Sequence, residues 1–379
     1  MRERILIVGI DTNIGLAIIR ALGRNGLSVY GVAKNWGGIG IYSRFLEKGY
    51  ILPDWKQDEE EGYFENIRKI CKENRISYIA AISEKTLFLI NRYKHKLEED
   101  VKLLLPDSDK LNLVTDKKTT YEFAEKLGIP IPKVYQIYKL QDIDSLDIAY
   151  PLIIKSKGYV SGKYQEIGYR NKILTNEKEL VSELKKYQNG FPLIQKYQEG
   201  YGIGVSLLMK DGEALAVFQH KRIHELDGGS VLAESLPVDP LLYKYSFNLL
   251  KALDWNGVAM VEWKYKNKDE FSFLEINGRF WGSLPLSIGC GVNFPYLLYL
   301  NFGKNILAKA KTYSTGVKFC ILTGEIRYLI KNKDWKSVLN LFRGRTIWNC
   351  LSLADPLPGI MDIILAAKIQ ILRIFKILF

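Results

Sequence analysis

The chain has 379 residues, a net charge of +12, 47% hydrophobic and 25% charged residues, a globular composition with room for two or three domains. Cys71, Cys290, Cys320 and Cys350 lie far apart with no C-x-x-C pair, which argues against a disulfide framework or zinc knuckle and fits a reducing cytosol. No stretch reaches the ~18 uninterrupted apolar residues of a spanning helix, and MRERILIVGI, with a short apolar core behind two arginines, reads as a strand rather than a signal peptide.

In chain order, ILIVGI (5–10) has the continuous apolar run of a buried parallel strand. DTNIG, the helical GLAIIRALGRNG and the strand-like SVYGVA complete a βαβ unit that opens a Rossmann-like domain. Gly9 and Gly15 are not spaced G-x-G-x-x-G, which disfavours NAD. A helix near 62–74, the strand 76–82, a helix over about 84–97 and the strand VKLLLP follow, and the first domain closes near residue 110. Thr115 and Asp116 can cap a helix that ends at Gly128, with Pro130 and Pro132 beyond. YPLIIK (150–155) leads into the loop SKGYVSGKYQEIG, then a helix over 176–187 and the strand 191–197. GIGVSLLMKDG and EALAVFQHKRI pair across Lys210-Asp211-Gly212, a helix covers about 240–253, and GVAMVEWKY pairs with EFSFLEINGR across KNKD.

That last hairpin carries the main chemical signal. With its turn centred on Lys268-Asp269, Glu262 falls opposite Glu275. Carboxylates ~5 Å apart repel by roughly 3 kcal/mol at an effective dielectric of 20, which calls for a cation. Strand alternation aims Glu275, Asn277 and Arg279 to one side and Leu274 and Ile276 into a core. Magnesium takes a few carboxylate or amide oxygens plus phosphates, and Glu262, Glu275 and Asn277 supply them; a solvated polar face with slipped register is the plainer reading. Lys155 ends an apolar strand before Gly158, Ser161 and Gly162, where loop N–H groups can cradle phosphate, although a strand-end lysine reaching to water looks the same. The loop is not a P-loop. His220 and His224 have H-x-x-x-H spacing, but no H-E-x-x-H motif, and on a strand they do not converge on zinc.

These pieces together resemble the ATP-grasp superfamily, specifically carboxylate–amine ligases related to the carbamoyl-phosphate-synthase and D-alanine-ligase branches, over about residues 1–300. The resemblance rests on TDKKTTYEFAEKLGIPIPKVY, YPLIIKSKGYVSGK, LIQKYQEG, GGSVLAES and above all GVAMVEWKY with FLEINGRFWGSLPLSIGCGVNFPYLLY. It implies an α/β and α+β chain: a Rossmann-like (pre-ATP-grasp) domain over 1–110, a two-lobed ATP-grasp fold (small lobe and phosphate loop 111–192, metal-binding lobe 193–305), and a helical basic C-terminal extension over 306–379.

The resemblance implies that Lys117 and Lys155 hold ATP phosphates under a loop containing Gly158, Ser161 and Gly162. Gln195, Lys196 and Tyr197 look like the hinge whose backbone pairs with adenine. Arg222 looks like the residue that steadies the transferring phosphoryl group, and Arg279 like one that binds phosphate or a substrate carboxylate. Glu262, Glu275 and Asn277 match ligands for two Mg²⁺ ions, with Mn²⁺ as a substitute. The implied reaction joins a carboxylate to an amine through an acyl phosphate, releasing ADP. The loop GYVSGKYQE is poor in glycine and Tyr201 stands where a ribose-binding acid is expected, so a catalytically degenerate ATP-binding regulator is the alternative.

Residues 301–379 hold 13 Lys and Arg against four acids. In GIMDIILAAKIQILRIFKILF, helical projection gathers Asp362, Gln370, Arg373 and Lys376 on one arc and Ile360, Ile364, Ile371, Phe375 and Leu378 on the other. Such a helix can lie on an anionic membrane, which places the protein peripherally at the inner face with a lipid-linked acceptor, or it can pack on its own core or a second subunit as a homodimer. Nucleic acid is suggested by charge alone.

Overall fold

The computed structural model describes residues 2–155, 172–187, 191–226, 228–341 and 344–378, with side chains from 369 onward and those of residues 57 and 340 outside the description. Gly158, Ser161 and Gly162 lie outside the described residues, as do the side chains of Gln370, Ile371, Arg373, Phe375, Lys376 and Leu378.

The chain opens with β1 (Arg4–Val8), α1 (Asn13–Arg24), β2 (Ser28–Ala33), β3 (Leu46–Ile51), α2 (Glu60–Asn74), β4 (Tyr78–Ala81), α3 (Glu84–Tyr93) and β5 (Lys102–Leu103). These strands form a five-stranded sheet in the order β3-β2-β1-β4-β5 with every pairing parallel. Helical crossovers cover such a sheet on both faces, so Ile5, Leu6, Ile7 and Val8 are all 0% exposed. At the end of β1, Gly9 turns at φ +102°, and a Cβ on Gly15 would meet Ile10 Cα at 2.6 Å. These glycines serve a tight strand-to-helix approach.

The middle of the chain runs through α4 (Ser108–Thr115), α5 (Lys117–Lys126), β6 (Val134–Tyr135), β7 (Leu152–Lys155), β8 (Lys172–Leu174), α6 (Glu177–Leu184) and β9 (Leu193–Lys196). Asp116 caps α5 by accepting from Lys118 N–H at 3.0 Å. Thr115 does not share that role, since its hydroxyl donates to Leu111 O at 3.0 Å and closes α4. The order β6-β9-β7-β8 makes a four-stranded antiparallel sheet. Leu152, Ile154, Leu180 and Ile194 give it a hydrophobic core separate from the main ones.

The rest comprises β10 (Tyr201–Lys210), β11 (Glu213–Leu226), β12 (Gly229–Leu236), α7 (Pro240–Ala252), β13 (Gly257–Asn267), β14 (Glu270–Asn277), α8 (Leu284–Cys290), α9 (Phe294–Leu298), β15 (Lys318–Cys320), α10 (Leu322–Asn332), α11 (Val338–Leu341), β16 (Thr346–Trp348) and α12 (Leu357–Leu378). A seven-stranded sheet orders them β14-β13-β10-β11-β12-β15-β16. Residues beyond 305 therefore rejoin this sheet through β15 and β16 rather than trailing away from it. The four cysteines are free and buried. No helix among the described residues is long and apolar enough to cross a membrane.

A buried ion pair fastens the C-terminal segment to the first sheet. Arg20 on α1 donates from Nε to Asp355 Oδ2 at 2.8 Å and from its terminal nitrogens to the carbonyls of Asn349, Cys350 and Asp355. Asp355 also accepts from Ser43 Oγ at 2.7 Å and Arg44 N–H at 2.8 Å. Replacing Asp355 with Ala strands the guanidinium without its counter-charge, which is expected to cost about 3–5 kcal/mol. Urea unfolding of D355A measures this, and a loss below about 1 kcal/mol would contradict it.

Candidate active site

The β13–β14 hairpin sets Glu262 opposite Glu275 and Met260 opposite Asn277, the register that a turn at Lys268-Asp269 predicts. The ladder shifts by one residue after Glu262 and returns before Asn267. Such a bulge re-aims a side chain. Leu274 accordingly lines the cleft instead of entering the core as alternation alone predicts, while Ile276 is buried.

Each carboxylate meets a cation brought from elsewhere. Lys117, at the first position of α5, places Nζ 2.6 Å from Glu275 Oε2. Arg222, from β11, reaches Glu262 Oε1 at 2.5 Å, and Asn277 Nδ2 donates to the same oxygen at 2.9 Å. Lys117 holds the Glu275 carboxyl down to about 2 against the opposing effect of burial. Burial pushes Glu262 upward, against the pull of Arg222. Lys155 ends β7, is 9% exposed, and has its pKa lowered by burial, so an anion brought beside it would stabilise its charge.

The cleft has a volume of about 530 Å³. Lys155, Gln195, Lys196, Tyr197, Arg222, Glu262, Glu275, Asn277 and Arg279 line it, whereas Lys117 stands behind Glu275. The N–H groups of Lys196 and Tyr197 donate to the carbonyls of Lys133 and Pro151, each at 2.9 Å, so a base at this hinge would be met by other hinge groups. Arg279 donates from Nε to Glu84 Oε1 at 3.2 Å, tying the end of β14 to α3. Tyr201 is 39% exposed, its ring 5.7 Å from that of Tyr265.

The two histidines part company. His220 is buried on the cleft wall with Nε2 2.9 Å from Ser283 Oγ. His224 places Nδ1 2.7 Å from Glu325 Oε1 and stacks on Tyr328. Among the described residues, no three His, Cys, Asp or Glu side chains converge on a metal position. Two carboxylates and an amide suit magnesium, which keeps waters and substrate phosphates in its remaining positions, better than a closed zinc site.

Sequence spacing does not single out Ser283 or Gly204. Gly204 lies opposite both Glu262 and His220 in the sheet, and a Cβ there would sit 2.4 Å from His220 Cε1. This fit would have been visible in sequence only as a glycine inside an apolar strand.

With this geometry in view, residues 191–319 match the family model described as ATP-grasp in the biosynthetic pathway with Ter operon. A carbamoyl-phosphate synthase of Methanobrevibacter smithii is 25% identical over 224 residues, covering 55% of this chain and 58% of that protein. The N5-carboxyaminoimidazole synthetase of Staphylococcus aureus superposes with TM-score 0.66 at 13% identity, covering 89% of this chain and 87% of that one. A biotin carboxylase of Campylobacter jejuni does so with TM-score 0.63 at 16% identity, covering 80% and 71%.

Burial, with Arg222 nearby, pushes the His220 imidazole down to about 3. An unfolded histidine titrates near ~6.5, so below that pH the unfolded chain binds a proton that the folded chain refuses. Stability carried by His220 is complete above that pH and lost as pH falls toward the folded value. Between pH 6.5 and 5 the loss is expected to be about 2 kcal/mol, and H220N should lack this share. Denaturant unfolding at the two pH values checks it, and an unchanged acid dependence in H220N would contradict it.

Proposed function

We propose that this chain, which belongs to the ATP-grasp superfamily, is an ATP-dependent ligase that joins a carboxylate to an amine through an acyl phosphate. The observation that carries the reading is the opposed pair Glu262 and Glu275, with Asn277 hydrogen-bonded to Glu262 and Lys155 and Arg222 on the same cleft. A site for a neutral substrate has no use for such a concentration of fixed charges. Magnesium polyphosphate does, because it brings cations to the carboxylates and anions to the lysine and arginine.

Glu262, Glu275 and the Asn277 amide oxygen would hold Mg²⁺, which offsets phosphate charge when bound. Ile153, Ile173, Met260 and Leu274 offer apolar walls for the base beside the hinge. Lys155 and Arg222 hold phosphate oxygens, with Lys117 positioning Glu275 from behind. Arg279 orients the incoming carboxylate or phosphate. The substrate carboxylate oxygen attacks the γ-phosphorus, and the bond from that phosphorus to the β-phosphate oxygen breaks, releasing ADP. The amine then attacks the acyl carbon, phosphate leaves with the C–O bond electrons, and the nitrogen loses its proton to give the amide. Charge placement does this work, with no protein nucleophile.

The same reading divides the chain into a Rossmann-like domain over 1–110, lobes over 111–192 and 193–305, and a basic region over 306–379 that attaches peripherally to membrane. The separate core of the four-stranded sheet supports the lobe division. The alternative, an ATP-binding regulator without turnover, is favoured by the protein cations that already answer both carboxylates.

At a concentration 100-fold above its Kd, Mg-ATP should stabilise the fold by about 2.7 kcal/mol. In E275Q and K155A that stabilisation should vanish, with NADH without effect throughout. No thermal shift in the wild type would overturn the nucleotide site. A shift without ADP release across pools of acids and amines would favour the regulator.

A further inference from the structure

Tyr201, at the position where an acid for the ribose is expected, turns away from the cleft. It stands opposite Tyr265 at the start of β10, and strand alternation puts that pair on the other face of the sheet from Gly202, Gly204, Glu262 and Lys264. Gly202 lies opposite Lys264, and Gly204 opposite Glu262. Near the hinge, β10 therefore presents a glycine to the cleft. A Cβ on Gly202 would stand 2.9 Å from Arg222 Cδ and 3.3 Å from Glu225 Oε1. The room above Gly202 is taken by side chains that lean across from β11.

Glu225 reaches this place because β11 is irregular. Its ladder with β12 shifts between Arg222 and His224, and again between His224 and Glu225. In a regular strand His224 would follow His220 and Arg222 onto the cleft face, and Glu225 would point behind it. The shifts reverse that order. His224 goes to Glu325 on α10, while Glu225 lines the cleft. Its carboxylate is 3.9 Å from Arg222 Nη1, a loose pair, whereas the other end of that guanidinium meets Glu262 at 2.5 Å. The Glu225 side chain remains 37% exposed.

The order of groups along the strands decides what would lie over Gly202. Glu262 and Glu275, the acids that suit magnesium polyphosphate, stand at the level of Gly204. The hinge residues Gln195, Lys196 and Tyr197 lead into the start of β10 and line the same cleft. Gly202 is two residues nearer that start than Gly204, about 7 Å along the strand. A nucleotide with its base at the hinge and its phosphates at the acids lays its sugar between them, over Gly202. There Glu225 offers an acceptor and Lys264 a donor, both on the cleft wall. With Arg222 and Lys264 to either side, a further cation is disfavoured beside Glu225, but a neutral pair of hydroxyls is not.

We propose that Glu225 binds the ribose of the nucleotide, its carboxylate accepting from the 2′- and 3′-hydroxyls above Gly202, and so supplies from β11 the acid that β10 lacks. Tyr201 is then no mark of a degenerate site. The assignment rests on the Mg-ATP reading of the cleft and is independent of whether the bound nucleotide is turned over.

Titration calorimetry of the full chain with the magnesium salts of ATP, 2′-deoxy-ATP and 3′-deoxy-ATP tests it. Wild type should bind ATP about tenfold or more tighter than either deoxynucleotide, the worth of one hydrogen bond to a charged acceptor. In E225A, ATP should fall to the level of the deoxynucleotides and the preference should vanish. E225Q, which keeps the shape and one acceptor oxygen without the charge, should retain part of it. The ratio between nucleotides isolates the sugar, because a disturbed Arg222 would weaken all three alike. An equal loss for all three in E225A, with the wild-type preference intact, would overturn the assignment, as would a wild type that binds the three nucleotides equally. No binding of Mg-ATP by wild type would overturn the nucleotide reading and the sugar contact together. A preference that depends on Glu225, in a protein that releases no ADP with any acid and amine, would uphold the sugar contact while overturning the ligase.

Discussion

Two carboxylates set face to face across one hairpin are the constraint around which this molecule is arranged. At ~5 Å such a pair repels by roughly 3 kcal/mol at an effective dielectric of 20, more than a typical surface contact returns. The strands alone cannot relieve it. Lys117 comes from the first position of α5, which Asp116 caps, and Arg222 comes from the far side of β10 on β11. Tyr121 adds a hydrogen bond from its hydroxyl to Leu274 O at 2.9 Å, pinning α5 against β14. Lys117, Arg222 and the ionisation of Glu275 thus answer one electrostatic problem with groups drawn from separate elements.

Another cation of the cleft belongs to a different body of the fold. Lys155 rides on the four-stranded sheet, whose apolar side chains pack among themselves, whereas Glu262 and Glu275 ride on the seven-stranded sheet. The cleft exists because these packed units meet along a narrow hinge, with Gln195, Lys196 and Tyr197 on its wall. A ligand that touches both gains contacts neither unit offers alone, which is how a charged cleft between lobes couples binding to closure.

The C-terminal segment is held by chemistry of another kind. β15 and β16 extend the large sheet by backbone hydrogen bonding, and the Arg20–Asp355 network locks the approach to α12 onto α1. Breaking either partner leaves a buried charge, so α12 is tethered firmly at its start. Exposure of isoleucines on α10 and α12 is then a property of a fixed surface, not of a loose tail.

Much of this was legible in the order of residues. A continuous apolar run followed by a glycine turn and an amphipathic helix names a parallel βαβ start, and a short polar turn between two apolar strands dictates that Glu262 faces Glu275. Those are local rules, because strand register and helix capping depend on neighbours a few residues away. What lay beyond them was decided by contacts between distant segments. Lys117 meets Glu275 across 158 residues, His220 meets Ser283 across 63, and Arg20 meets Asp355 across 335. β15 and β16, three residues each, are too short to leave a periodic pattern, and the bulge that turns Leu274 into the cleft arises from pairing with β13. By itself the sequence determined which chemical groups share a strand face and what ligand they suit. Only the tertiary structure decided which cation answers each acid and where the apolar faces of α10 and α12 open, because those depend on packing between elements that no local spacing encodes.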